Sequence, residues 1–198
     1  SPPSTASPSG AELPGVVMDE EVLAVKTRRD LYQYVRSNPG FHLREIARAL
    51  SLSITLADYH LRFLEKNELV SWTMDGEYKR YYPRSVTGDK ESRAALTEDE
   101  KRVLAYLRQP VPFRVLAFLM ERDAATHKEI LAHVPVSPST LSHHLKKMQY
   151  AGILSPAEDR GGYRVTKPTG VARLMATYDL ATADQIDTWV RVWGEFRI

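Results

Sequence analysis

The chain has 198 residues and no cysteine. That excludes a disulfide scaffold, a thiol nucleophile, a cysteine-ligated zinc and an iron–sulfur cluster. Long hydrophobic runs are missing too. The longest uninterrupted apolar stretch is Val115 to Met120, against the ~20 residues a membrane-spanning helix needs. No basic–apolar–small leader opens the sequence, so the expectation is a soluble, cytoplasmic protein with no membrane partner. Neither charge sign dominates: 27 Lys and Arg against 25 Asp and Glu leave +2, which selects no partner by itself. Glycine-rich phosphate loops, a nucleophile elbow and HExxH are also lacking. No catalysis, cofactor or metal is expected.

What is present is core-forming material. Apolar residues are 43% and charged residues 26%, the usual balance of a globular chain, and at about 150 residues per domain the length suits one or two domains. The charge is segregated along the chain. Residues 1–25 carry −4, 26–84 carry +4, 85–100 carry −3, 101–178 carry +7 and 179–198 carry −2. Two basic blocks flanked by acidic connectors are the footprint of a polyanion binder, although solvated Arg-rich helix faces give the same arithmetic.

Ser1 to Gly15 is SPPSTASPSGAELPG, too poor in apolar residues to offset its ordering entropy. Residues 1–18 therefore read as a disordered tail, 19–84 as a first domain, 85–98 as a linker, 99–167 as a second domain and 168–198 as C-terminal helices. The two basic blocks are copies. A gapless shift of 84 residues lays Arg44–Val70 on Lys128–Leu154, matching Glu45 with Glu129, Ile46 with Ile130, Ser53 with Ser137, His60 with His144 and Leu61 with Leu145. The matches keep one apolar period, so the register is that of sibling domains.

Each copy predicts three helices and a hairpin. The first helix is expected over Thr27–Ser37 and Pro112–Arg122, the second over Leu43–Leu50 and His127–Val134. The third opens at the N-caps Ser53 and Ser137, the latter followed by Pro138 at the first helical position. Asn67 and Gly152 are the expected stops. Asp75-Gly76 predicts a tight hairpin turn in copy one. In copy two, strands at Ile153–Ser155 and Tyr163–Thr166 flank a loop through Arg160-Gly161-Gly162. Thr97 and Glu100 mark a capping box for a connecting helix over Leu96–Arg108.

Three helices with a tight turn between the second and third, then a hairpin, make a winged helix-turn-helix. The run THKEILAHVPVSPSTLSHHLKKMQYAGIL resembles the helix-turn-helix of ArsR/MarR-type winged-helix regulators. FHLREIARALSLSITLADYHLRFLEKNELVSW with YKRYYP repeats the signature with a changed third helix. The whole chain resembles the tandem two-winged-helix transcription regulators common in archaea, over roughly residues 27–84 and 99–167. The resemblance implies a mainly α fold with small β-hairpin wings, two winged helix-turn-helix domains in tandem plus C-terminal helices, and double-stranded DNA as partner.

A helix that enters the major groove must present short donors, acceptors and bases. In copy two Leu141, Leu145 and Met148 recur at helical spacing and should face the core. The opposite side then carries Ser139, Thr140, Ser142, His143, Lys146 and Lys147, with Arg160, Arg164 and Lys167 on the wing. In copy one Ala57, Leu61 and Leu64 take the core positions and expose Thr55, Leu56, Asp58, Tyr59 and Arg62. Asp58 would repel phosphates and Leu56 has no evident task, so copy one suits protein docking as well as DNA. Lys79 and Arg80, with Tyr78, Tyr81 and Tyr82, form its basic wing. The tyrosines also read as ordinary alternating strand packing. His60 and His144 read as packing residues, and the adjacent His143-His144 pair as a poor chelate.

Pro168 to Tyr178 reads as a short helix. A further one opens at Thr182 with Gln185 at the capping-box position. Its stripe of Ile186, Trp189, Val190 and Trp193 suits a homodimer interface, or a helix folded on its own domain. The reading that results is a sequence-specific, nucleoid-associated transcription regulator. An architectural DNA-coating protein and a module that docks on transcription machinery remain as rivals.

Overall fold

The computed structural model describes residues 15–84 and 96–181, with side chains from residue 24 onward. The first domain is α1 (Gly15–Ser37), α2 (Leu43–Ala49), α3 (Ile54–Lys66), β1 (Val70–Asp75) and β2 (Tyr78–Pro83). The second is α4 (Glu98–Leu107), α5 (Pro110–Met120), α6 (His127–His133), α7 (Pro138–Tyr150), β3 (Leu154–Ala157), β4 (Gly162–Val165) and α8 (Pro168–Thr177). The same shift of 84 carries α2 onto α6 and α3 onto α7, bound for bound. Each hairpin is an antiparallel two-stranded sheet. The expected tandem of winged helices is the fold.

Local chemistry sets the helix starts. The Ser53 hydroxyl accepts from the Leu56 amide at 3.1 Å and the Ser137 hydroxyl from the Thr140 amide at 3.2 Å, satisfying an otherwise unpaired donor of the first turn. Thr97–Glu100 and Thr126–Glu129 form reciprocal capping boxes at α4 and α6. Leu141, Leu145 and Met148 are buried in the second core, and Ala57, Leu61 and Leu64 in the first. Burying each of the larger side chains stabilises by roughly 1.5–3 kcal/mol.

Three local expectations need correction. The first helix begins at Gly15 rather than Thr27, so residues 15–18 belong to α1 and not to a tail. The first hairpin turns on Gly76-Glu77, because Asp75 still pairs with Tyr78 across the ladder. Asn67 caps the end of α3 as expected, and the left-handed residue that follows is Glu68 (φ 59°) where the second copy has Gly152 (φ 74°). The strand after α7 runs Leu154–Ala157, one residue later at its start than Ile153. Residues 1–14, 85–95 and 182–198 lie outside the described residues, and with them most of the expected linker and the Ile186, Trp189, Val190 and Trp193 stripe.

The tyrosines of β2 do not alternate between core and solvent. Tyr81 is buried in the first domain's core, while its neighbour Tyr82, 0% exposed, packs into the second domain's core beside Leu104. The Tyr82 hydroxyl donates to the Lys101 carbonyl at 3.0 Å. Arg108 returns the contact, donating to the Pro39 carbonyl at 3.0 Å with its guanidinium 4.3 Å from the Phe41 ring centroid. Gly40 (φ 93°) sits against Leu104, where an added Cβ would lie 3.5 Å from the leucine Cβ. The connecting helix α4 is thus a wall shared by both domains. Helix α8 packs Val171, Ala172, Leu174 and Met175 into the same second core.

Candidate nucleic-acid interface

The exposed side of α7 is built from the residues the sequence placed there. Ser139, Thr140, Ser142, His143, Lys146 and Lys147 are exposed, and the buried Leu141–Leu145–Met148 stripe fixes that orientation. The first turn is a cluster of hydroxyls. Ser137 Oγ lies 3.1 Å from Ser139 Oγ and 2.8 Å from Thr140 Oγ1. Ser142 Oγ lies 2.9 Å from His127 Nε2 on α6, a tie across the helix-turn-helix that sequence reasoning missed because the two positions are fifteen residues apart. Neither Lys146 nor Lys147 forms an ion pair with a described residue. Their charge is available to an anion.

His143 and His144 share a helix but not a direction: their ring centroids are 5.7 Å apart and the planes cross at 75°. Burial, with the nearby His143 and Lys147, holds His144 below the usual histidine range. His60 is more buried and is lowered by desolvation and by Arg28, whose Nε donates to its Nδ1 at 3.4 Å. His60 is thus buried in the first domain, whereas His144 is half-buried beside His143.

The wings differ from the expectation. Arg160 is exposed next to the hairpin turn, whose Gly161 has φ 66°. Arg164 is committed within the domain, its Nη2 lying 3.1 Å from Asp123 and 3.0 Å from Asp159. Lys167 is exposed and pairs with Asp99 at 3.2 Å. In the first domain Arg80 is not a wing contact at all. It is 6% exposed, donating to Asp75 at 2.7 Å and to the Gly40 carbonyl at 2.9 Å. This buried guanidinium holds the hairpin to the α1–α2 loop and is not presented to a phosphate. Lys79 is exposed, with its ammonium 3.9 Å from the Trp72 ring centroid.

The exposed side of α3 presents Thr55, Tyr59 and Arg62, as expected, but Arg62 is neutralised by Asp58 at 2.8 Å. Leu56, Tyr59 and Phe63 are 42%, 60% and 39% exposed. Arg28 lies 3.7 Å over the Phe63 ring. Under the 84-residue shift these apolar positions correspond to Thr140, His143 and Lys147. The two third helices therefore share a backbone and differ in surface chemistry.

The comparisons with known proteins agree with this geometry. A family described as an N-terminal HTH domain matches residues 25–96, and one described as a helix-turn-helix domain matches residues 107–156. The chain carries two helix-turn-helix domains in tandem. A curated relative of this tandem helix-turn-helix chain, an uncharacterized HTH-type transcriptional regulator from Methanocaldococcus jannaschii, is 30% identical over 141 residues. The alignment covers 71% of this chain and 33% of the relative, so the chain spans about a third of that protein's length. Among solved structures, human N-acetylserotonin methyltransferase in complex with SAM aligns over 74% of this chain and 45% of its own, at 10% identity and a TM-score of 0.27. A likeness that weak carries no argument. Among the described residues no single helix is long and apolar enough to cross a membrane.

Proposed function

We propose that this tandem helix-turn-helix chain binds double-stranded DNA as a sequence-specific transcription regulator, with α7 in the major groove. The observation that carries the reading is the exposed face of α7: short hydroxyls at its N-terminal end, His143 in the middle and two unpaired lysines beyond. Ser139, Thr140, Ser142 and His143 would read base edges, while Lys146, Lys147 and the wing residue Arg160 would meet phosphates. The hydroxyl-rich N-terminal turn of the helix favours a phosphate as well. The name of the archaeal relative supports a role in transcription. A homodimer, set among the proteins of the nucleoid, would place two such helices on one operator.

The rival architectural reading asks for little sequence preference. Binding of the purified chain to random and genomic duplex DNA across a salt series separates the two. The regulator reading expects a log–log slope of roughly −4 to −8, at ~0.9 per phosphate neutralised, and a genomic fragment bound at least ~1000-fold tighter than random duplex. A steep slope without a preferred fragment supports the architectural reading. No binding at low salt overturns both.

A further inference from the structure

Helix α3 exposes four large apolar side chains, Ile54, Leu56, Tyr59 and Phe63. Leu56, Tyr59 and Phe63 follow one another at helical spacing and are all solvent-exposed. On a 3.6-residue helix Tyr59 sits at the centre of the face, Leu56 and Phe63 on one flank, and Asp58 and Arg62 on the other. The apolar side chains are too large and too clustered to be scattered surface residues. Asp58 and Arg62 neutralise one another at 2.8 Å, and Lys66 is exposed at the C-terminal end of the face. The centre of the face is apolar, with Leu56, Tyr59 and Phe63 exposed, and so is poorly suited to a polyanion.

It is suited to itself. We propose that α3 docks against α3 of a second copy of this chain, antiparallel across a two-fold axis that passes by Tyr59. That symmetry returns each flank to its own kind. The apolar flank meets the apolar flank, with Leu56 opposite Phe63 of the other copy. The ionic flank meets the ionic flank, and reversal of the helix direction puts Asp58 opposite Arg62. A parallel two-fold would instead set the apolar flank of each copy against the ionic flank of the other, so the pattern of the face selects the antiparallel arrangement. Helix α3 would then be an assembly surface, leaving α7 of each copy outward. The proposal does not depend on DNA binding and is tested without DNA.

The test is sedimentation equilibrium of the full chain at micromolar concentration. The wild type is expected to dimerise, and Tyr59→Glu, which puts a charge at the centre of the interface, to weaken the dimer by at least about thirtyfold. Asp58→Arg alone should also weaken it. Asp58→Arg combined with Arg62→Asp should restore it, because the swapped pair is again complementary across the axis. These positions are exposed or half-buried, and far-ultraviolet circular dichroism confirms that each variant is folded. The absence of native cysteine adds an independent readout: Tyr59→Cys should be joined to itself by a short bis-maleimide, while His143→Cys, at the equivalent position of α7, should not. A monomeric wild type would overturn the proposal. So would a dimer that ignores Tyr59→Glu but dissociates on Trp189→Ala with Trp193→Ala, or cross-linking of the two cysteine variants to the same extent.

Discussion

The two winged helices share bounds for α2/α6 and α3/α7, N-caps and core positions, yet their third helices present opposite surfaces. Where α7 exposes Thr140, His143 and Lys147, α3 exposes Leu56, Tyr59 and Phe63. Where Lys146 is unpaired, Arg62 is tied to Asp58. The wings do not diverge in this way: Arg80–Asp75 in the first corresponds to Arg164–Asp159 in the second, and each wing keeps an exposed base, Lys79 or Arg160. Duplication preserved what folds the domain: serine caps, a Leu/Met or Leu/Leu stripe and a hairpin. The exposed positions, which contribute little to stability, were free to change, and it is there that function lives.

The largest expected effect lies where the two domains are joined. Tyr82→Ala empties a fully buried aromatic site in the second core and removes the bond to Lys101, and should cost ~3–5 kcal/mol. Because the residue belongs to one domain and packs in the other, calorimetry should show the two domains uncoupled into separate transitions. A single transition, merely shifted, would mean that Tyr82 is not what couples them.

Next is a difference between the wings. Gly162 passes so close to the Ala125 backbone that an added Cβ would collide with its carbonyl. Gly162→Ala should therefore destabilise the second domain by ~1–3 kcal/mol, as overpacking does. Gly161→Ala is milder in contact but strained in φ. Gly76, its open counterpart in the first wing, meets no atom within 4 Å. Urea midpoints of Gly162→Ala and Gly76→Ala compare the collision with the conformational cost alone.

A smaller effect of opposite sign is expected at Glu68. This residue holds the left-handed φ that the second copy gives to Gly152. Glu68→Gly relieves that strain but gives up the exposed pair with Arg84 at 3.2 Å, so the net gain should be under ~1 kcal/mol. Chemical denaturation of the variant checks it.

The pH response should be shared by both domains. His60 and His144 are held below their ordinary range by burial. Their folded pKa values lie under the unfolded ones, so the unfolded state takes up protons first. The contribution is fully present above about pH 6.5 and is lost as pH falls through the lowered folded values. Tm should decline between pH 7 and 5, and His60→Gln should flatten part of that decline.

How much of this was legible in the sequence follows from the range of the interactions involved. The gapless repeat, the serine caps and the Leu141–Leu145–Met148 stripe depend on neighbours within a turn or two, and they gave the fold and the orientation of α7. Arg80 was misread because its partners, Asp75 and the Gly40 carbonyl, meet only once the hairpin closes. Tyr82 was misread because strand alternation assumes one buried face, whereas β2 is covered on both. The start of α1 was missed because no capping residue marks Gly15. The turn between the second and third helices shows the limit from the other side: Ser51 is left-handed (φ 54°) where the second copy has Pro135, so turns of equal length use different backbones.

The central claim is that α7, not α3, meets DNA. Its most direct test is the salt dependence of duplex binding by Lys146→Ala/Lys147→Ala beside Thr55→Ala/Lys66→Ala, exposed positions of α3. The first pair should lose affinity uniformly across sequences and reduce the log–log slope by about 0.9 for each phosphate contact removed, while the second pair leaves the slope unchanged. Equal slopes for wild type and the Lys146/Lys147 pair, or a loss confined to the Thr55/Lys66 pair, would contradict it.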